Sequence, residues 1–343
     1  MSSPPGSSTS TTRSAYIDNL KAILITLVVF GHIVEIGFKA DGANSEIYRL
    51  IYTFHMPAFV FVSGYLSSKD RFGTSWALSF LTPISVYIPF QFLYSSLDIT
   101  FSGRSDLIYY LVRPYWLMWY LLSLAIWRAF LPFLRVTNIS IPLSIGVAIL
   151  AGFVVQDGGE LSIGRTIFFL PFFLVGYRLR NTDLAPQLSV WRVCAALAVL
   201  LLILLMFFGP AHEANVRWLF GREGYFRLKE PEWGGAYRLA VYLVAAAGVW
   251  SILQVTPSRA GWWTEIGRQS LSAYVWHGFF IRALILTGVS AWGANLPFAV
   301  VATCIILGVS ALPWVASLAN APIFLLQHLF SATSSSARSG EHG

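Results

Sequence analysis

Ten stretches of roughly twenty mostly apolar residues follow one another along this 343-residue chain, at 17–38, 48–68, 75–97, 115–135, 138–155, 161–178, 190–209, 237–256, 268–289 and 296–319. A helix rising about 1.5 Å per residue needs about 20 residues to cross a bilayer core. Inside that core every backbone amide must find its partner within its own segment. The pattern therefore predicts an all-α fold, a polytopic integral membrane bundle of about ten transmembrane helices. Only 11% of residues are charged, against roughly 25% in soluble domains, and the deficit runs the whole length of the chain.

The segments between the runs are too short for a second domain. Residues 1–16 open with the Ser/Thr/Pro-rich "MSSPPGSSTSTTR" and read as a disordered cytoplasmic tail rather than a signal peptide. Residues 17–320 form the transmembrane domain, and 321–343 read as an interfacial helix at 322–331 followed by a second tail. Lys and Arg in the short loops are biased to one side, which places both termini in the cytoplasm and the 210–236 loop outside, in a multi-pass protein of the cell (plasma) membrane. The net charge of +7 is thus first a topology signal. With no dense basic block, a nucleic-acid partner is not expected. No H-E-x-x-H, zinc spacing, P-loop or G-x-S-x-G elbow occurs, so no metal and no serine nucleophile are expected.

Ionisable groups at membrane depth are costly and usually face a wet cavity. At 100° per residue, Lys21 and His32 lie about 20° apart in azimuth and about 16 Å apart along the first helix, with Asp18 and Glu35 near the same stripe. His55 precedes Met56-Pro57 in the second helix, where an imidazole could bond the carbonyl freed by the proline; Ser63-Gly64 permits close helix approach. Arg113, Trp116, Tyr120 and Trp127 share a face of the fourth predicted helix, and Trp116 and Trp119 also suit an aromatic belt. Arg165 sits one turn inside the sixth. His277 follows Ser270 and Tyr274 on the ninth. Three histidines at membrane depth point to a shared polar cavity. A neutral imidazole with a pKa near 6.5 can take a proton at physiological pH, so histidine as a general base fits such a cavity.

Five stretches carry a resemblance: "YIDNLKAILITLVVFGH", "FHMPAFVFVSGYL", "WLMWYLLSL", "FFLPFFLVGYRL" and "LSAYVWHGFF". In order and spacing the chain resembles the membrane acyltransferase 3 family, and within it the fucose 4-O-acetylase-like acetyltransferases. That family more often has arginine where this chain has Lys21, which keeps the charge but not the bidentate fork. The resemblance implies transfer of an acyl group, usually acetyl, from acyl-CoA to a hydroxyl of a sugar, glycan or glycolipid, with no permanently bound cofactor. His32 is then the catalytic base. Asp18, Lys21, Glu35, His55, Trp119, Tyr120, Arg165 and His277 are supporting or pore-lining. Lys21, Lys69, Arg71 and Arg259 are donor-side candidates; Arg113, Trp218 and Trp233 are acceptor-side candidates. The competing readings are a proton-coupled transporter or flippase, which membrane-embedded histidines also suit, and a purely structural membrane scaffold.

Overall fold

The computed structural model describes residues 7–37, 43–68, 72–102, 112–134, 139–185, 189–209, 215–288 and 296–339. These residues hold twelve α-helices and no strand: α1 Ser7–Gly37, α2 Ala43–Tyr65, α3 Thr74–Ser102, α4 Trp119–Leu134, α5 Ser140–Val154, α6 Ile163–Leu179, α7 Val190–Phe208, α8 Gly234–Val255, α9 Trp262–Arg268, α10 Ser270–Leu286, α11 Leu296–Ser310 and α12 Pro313–Ser339. Six of the described helices carry stretches long and apolar enough to cross a membrane, and four more are apolar but shorter. Leu201, Leu202 and Leu205 on α7, Leu239 and Leu243 on α8, and Val300, Val301 and Ile305 on α11 are exposed. In water such a surface would aggregate; facing lipid it costs nothing. The molecule is an all-α membrane bundle.

The helix bounds revise the sequence reading in four places. α1 begins at Ser7, so residues 7–16 are helical rather than a disordered tail. α4 begins at Trp119, and Arg113–Met118 form turns, so Arg113 and Trp116 do not share a helical face with Tyr120. A seven-residue helix, α9, precedes α10. The tenth apolar run breaks at Ala311-Leu312, just before Pro313, where a proline suits the first turn of a new helix. The segment 322–331 is therefore the middle of α12, and residues 332–339 continue that helix.

α2 is the hub, packing on α1, α6, α7 and α8, and its crossing with α6 is the most extensive contact between described elements. The reason is local. A Cβ on Gly64 would run into the Phe173 carbonyl, and a Cβ on Gly176 into the Phe61 carbonyl. Two glycines face each other's backbones, so the helices meet with nothing between them. Ser63 Oγ bonds the Tyr120 hydroxyl beside this crossing, and both groups are buried. In the middle of α1, Asn19 is fully buried. Its amide donates to the carbonyls of Pro257 and Arg259, both at 2.8 Å, and its oxygen accepts from Thr264 Oγ1 at 2.6 Å. One side chain thus fixes the α8–α9 connection against α1, with its polar atoms satisfied.

Candidate active site

The far end of α1 builds a different environment. His32 and Glu35 are one turn apart on the same face. His32 Nδ1 lies 3.1 Å from Glu35 Oε2 and 3.0 Å from the Tyr52 hydroxyl, which itself donates to Glu35 Oε2 at 3.1 Å. Tyr52 reaches this position from α2 because Gly31 leaves room for it; a Cβ there would come within 3.2 Å of the Tyr52 ring. The tyrosine has one proton and gives it to the carboxylate. Nδ1 of His32 is then the donor, and its Nε2 carries the free lone pair. A carboxylate on Nδ1 holds the imidazole in the tautomer a general base needs.

Around this pair lies a cavity of about 320 Å³, lined by His32, Glu35, Tyr52, His55, Met56, Trp116, Trp119, Arg165 and Phe169, and roofed by Arg217, Leu219, Phe220, Arg222 and Glu223. The Arg165 guanidinium sits 5.0 Å from the centroid of the Trp119 ring. Trp119 in turn stacks on Phe169, 5.4 Å away. Arg165 makes no ion pair among the described residues, and it brings a positive charge to a cavity that the carboxylates of Glu35 and Glu223 also line. The Trp116 ring lies edge-on to His32 at 4.6 Å. His277, fully buried on α10, stacks on the His32 ring. Its Nδ1 bonds the Ala273 carbonyl at 3.0 Å, and its Nε2 has no partner among the described residues. His55 Nδ1 bonds the Ile51 carbonyl at 2.7 Å, so it does not serve the carbonyl freed by Pro57, which belongs to Thr53. Among the described residues no three His, Cys, Asp or Glu side chains are grouped to hold a metal ion.

The roof is a folded loop. Its 3₁₀ turn Val216–Phe220 is followed by a bridge between Glu223 and Asp157. Asp157 takes Arg113 at 3.1 Å, Arg227 at 2.9 Å and Arg222 at 3.4 Å, and accepts the Gly159 amide at 3.1 Å. Burial pushes the Asp157 carboxyl up, but the Gly159 amide and the surrounding arginines more than offset it and hold it at about 2. Tyr225, with no exposed surface, drives its ring into the bundle and donates to the Ile149 carbonyl at 2.8 Å.

The family model described as an acyltransferase domain (Acyl_transf_3) matches residues 14–315. The chain belongs to this acyltransferase family. Among curated proteins, Nodulation protein NolL of Sinorhizobium fredii is 32% identical over 126 residues, 32% of this chain and 34% of that protein. Nodulation protein NolL of Mesorhizobium japonicum is 28% identical over 211 residues, 56% of this chain and 54% of that protein. The chain thus spans about a third and about half of the lengths of these relatives. No solved structure matches.

Within this acyltransferase chain, the fold gathers His32, Glu35, His55, Trp119 and Arg165 around one cavity and sets His277 behind it. It separates the others. Lys21 pairs with Asp18 at 2.8 Å, and Asp18 also meets Arg268, about three turns of α1 before His32. The polar stripe is two distinct clusters. Tyr120 is buried on Ser63, outside the lining. Arg259 is exposed, and Lys69 and Arg71 lie outside the described residues. Arg113 anchors Asp157, Trp218 stacks on Tyr225, and Trp233 is exposed; none of the three lines the His32 cavity. Sequence reasoning missed Tyr52, Arg217, Arg222 and Glu223. A tyrosine at an unremarkable helical position gives no signal, and nothing in the one-dimensional pattern ties the charges of the 210–236 loop to His32.

Proposed function

We propose that this chain is a membrane O-acyltransferase that moves an acyl group, in the first place acetyl, from acyl-CoA to a hydroxyl of a sugar, glycan or glycolipid, as in the fucose 4-O-acetylase-like branch. The observation that carries this reading is His32, with Nδ1 held by Glu35 and Tyr52, in a cavity that the guanidinium of Arg165 also lines. The acceptor O–H gives its proton to His32 Nε2 as its oxygen bonds the thioester carbonyl carbon. Negative charge builds on the carbonyl oxygen, where a guanidinium stabilises it. The C–S bond then breaks, and the leaving thiolate takes the proton back from His32. With the N-terminus in the cytoplasm, the His32 end of α1 and the roof loop face outward.

The acyltransferase family match supports this over a proton-coupled carrier. Purified protein incubated with acetyl-CoA labelled in the acetyl group tests it. Thioester cleavage that depends on His32, with label appearing on a glycan or glycolipid hydroxyl, is the expected result. Intact thioester in the presence of folded protein and a panel of such acceptors would remove the reading.

A further inference from the structure

A second cavity lies against the first. It measures about 490 Å³ and occupies the crevice between α2, α7 and α8, under the 216–220 turn. Its chemistry is divided. Met206 and Phe207 from α7 and Val241 and Val244 from α8 form an apolar body, while Arg49, Asn215 and Glu230 stand at the end nearest the roof loop. Tyr237, Val241 and Val244 descend one face of α8 at helical spacing, so the crevice runs about 10 Å down the bundle. Tyr237 and Ala240 on its rim are exposed on the flank of α8, which opens it sideways.

The wall between the two cavities is thin. Leu219 lines both, and on α2 Tyr52 faces the His32 cavity while its neighbour Thr53 faces the crevice. An amphiphile with its chain between α7 and α8 would hold its polar head at the Arg49 end, one side chain from His32. A water-soluble acceptor needs no such groove beside the base, and a crevice opening onto the bilayer flank is of no use to it. We propose that this crevice holds the hydrocarbon chain of a lipid-linked acceptor, whose headgroup passes Leu219 to present its hydroxyl in the His32 cavity. The proposal deepens the acyltransferase reading and rests on it for the identity of the headgroup's hydroxyl, but chain binding can be measured alone.

The probe is dodecyl glucoside carrying a diazirine in its chain, photolysed with the purified full chain and mapped by peptide mass spectrometry. Label is expected on Met206, Val241 and Val244, competed by unmodified dodecyl glucoside and not by glucose. It is expected to be lost in Val244→Trp, which fills the crevice, and in Ala240→Trp, which narrows its exposed rim and does not need to enter the core. Unchanged elution and thermal midpoint show that the variants remain folded. Label spread evenly over the exposed faces of α7 and α11, or undiminished in both variants, means ordinary surrounding lipid and overturns the proposal. Displacement by long-chain acyl-CoA but not by the glucoside would assign the crevice to the donor and overturn it equally. Acetyl-CoA cleavage by the wild-type protein is read in the same preparation. Its absence beside a saturable crevice label would sink the acyltransferase reading and leave the crevice standing.

Discussion

His277 stacks against His32, ring centroids 5.5 Å apart and planes 17° from parallel, although the two residues lie on α10 and α1. The His277 side chain is fully buried, and its Nε2 meets no donor among the described residues. We expect the two rings to act as one unit: His32→Ala and His277→Ala should each reduce transfer, and the double variant should be little worse than His32→Ala. Losses that multiply independently in this double-mutant cycle would show that His277 serves only packing.

His32→Ala itself should insert and fold but lose transfer by about 10²-fold or more, the scale of a lost general base. Near wild-type turnover in folded protein would move the base elsewhere in the cavity.

Glu35→Gln and Tyr52→Phe separate the two partners of His32 Nδ1. The glutamine keeps the shape but removes the charge that fixes the tautomer, and transfer should fall by about 10²-fold. Tyr52→Phe removes the hydroxyl's bonds to His32 and Glu35 but keeps the carboxylate on Nδ1, and should cost about tenfold. Equal, negligible effects in a kinetic comparison would break the assignment of Glu35 as the orienting group.

Asp157 anchors the roof of the cavity. Its carboxyl is held at about 2, below its ordinary value near 3.9. The stability it contributes is therefore fully present above about pH 4 and is lost as pH falls through about 2. Asp157→Asn should mimic the acid state at neutral pH. Proteolytic nicking within 215–233 should become faster in that variant, and adding salt should narrow the difference from wild type, because these partly exposed pairs are screened. Identical nicking rates would mean that Tyr225 and the backbone bridge hold the loop without the Asp157 charge.

Gly64→Ala and Gly176→Ala should each lower the thermal midpoint, by the equivalent of about 1–3 kcal/mol, because the added methyl meets a backbone carbonyl that cannot swing aside. A thermal melt in detergent reads this directly; a variant as stable as wild type would show that α2 and α6 are not locked at this crossing.

The division of the last apolar run bears on topology. Pro313–Ala332 is long and apolar enough to cross the membrane. With α11 crossing as well, the two termini fall on opposite sides rather than both in the cytoplasm. Reporter fusions at each end decide it, and matching signals from both would return α12 to the membrane surface.

The bundle was legible because bilayer physics is severe. A run of about twenty apolar residues has few other solutions, so sequence alone determined the fold class and most helix positions. His32 and Arg165 also stood out, since an ionisable group inside such a run is conspicuous. Periodicity placed Asp18, Lys21, His32 and Glu35 on one stripe, but it could not say that the stripe meets α9 at one end and α2 at the other. That is why Lys21 sits with Asp18 and Arg268 and only His32 and Glu35 reach the cavity. Tyr52, Arg222 and Glu223 joined the site through packing between distant elements. So did the partition at Leu219, because a one-dimensional pattern fixes which face a residue shares and not which neighbour that face meets.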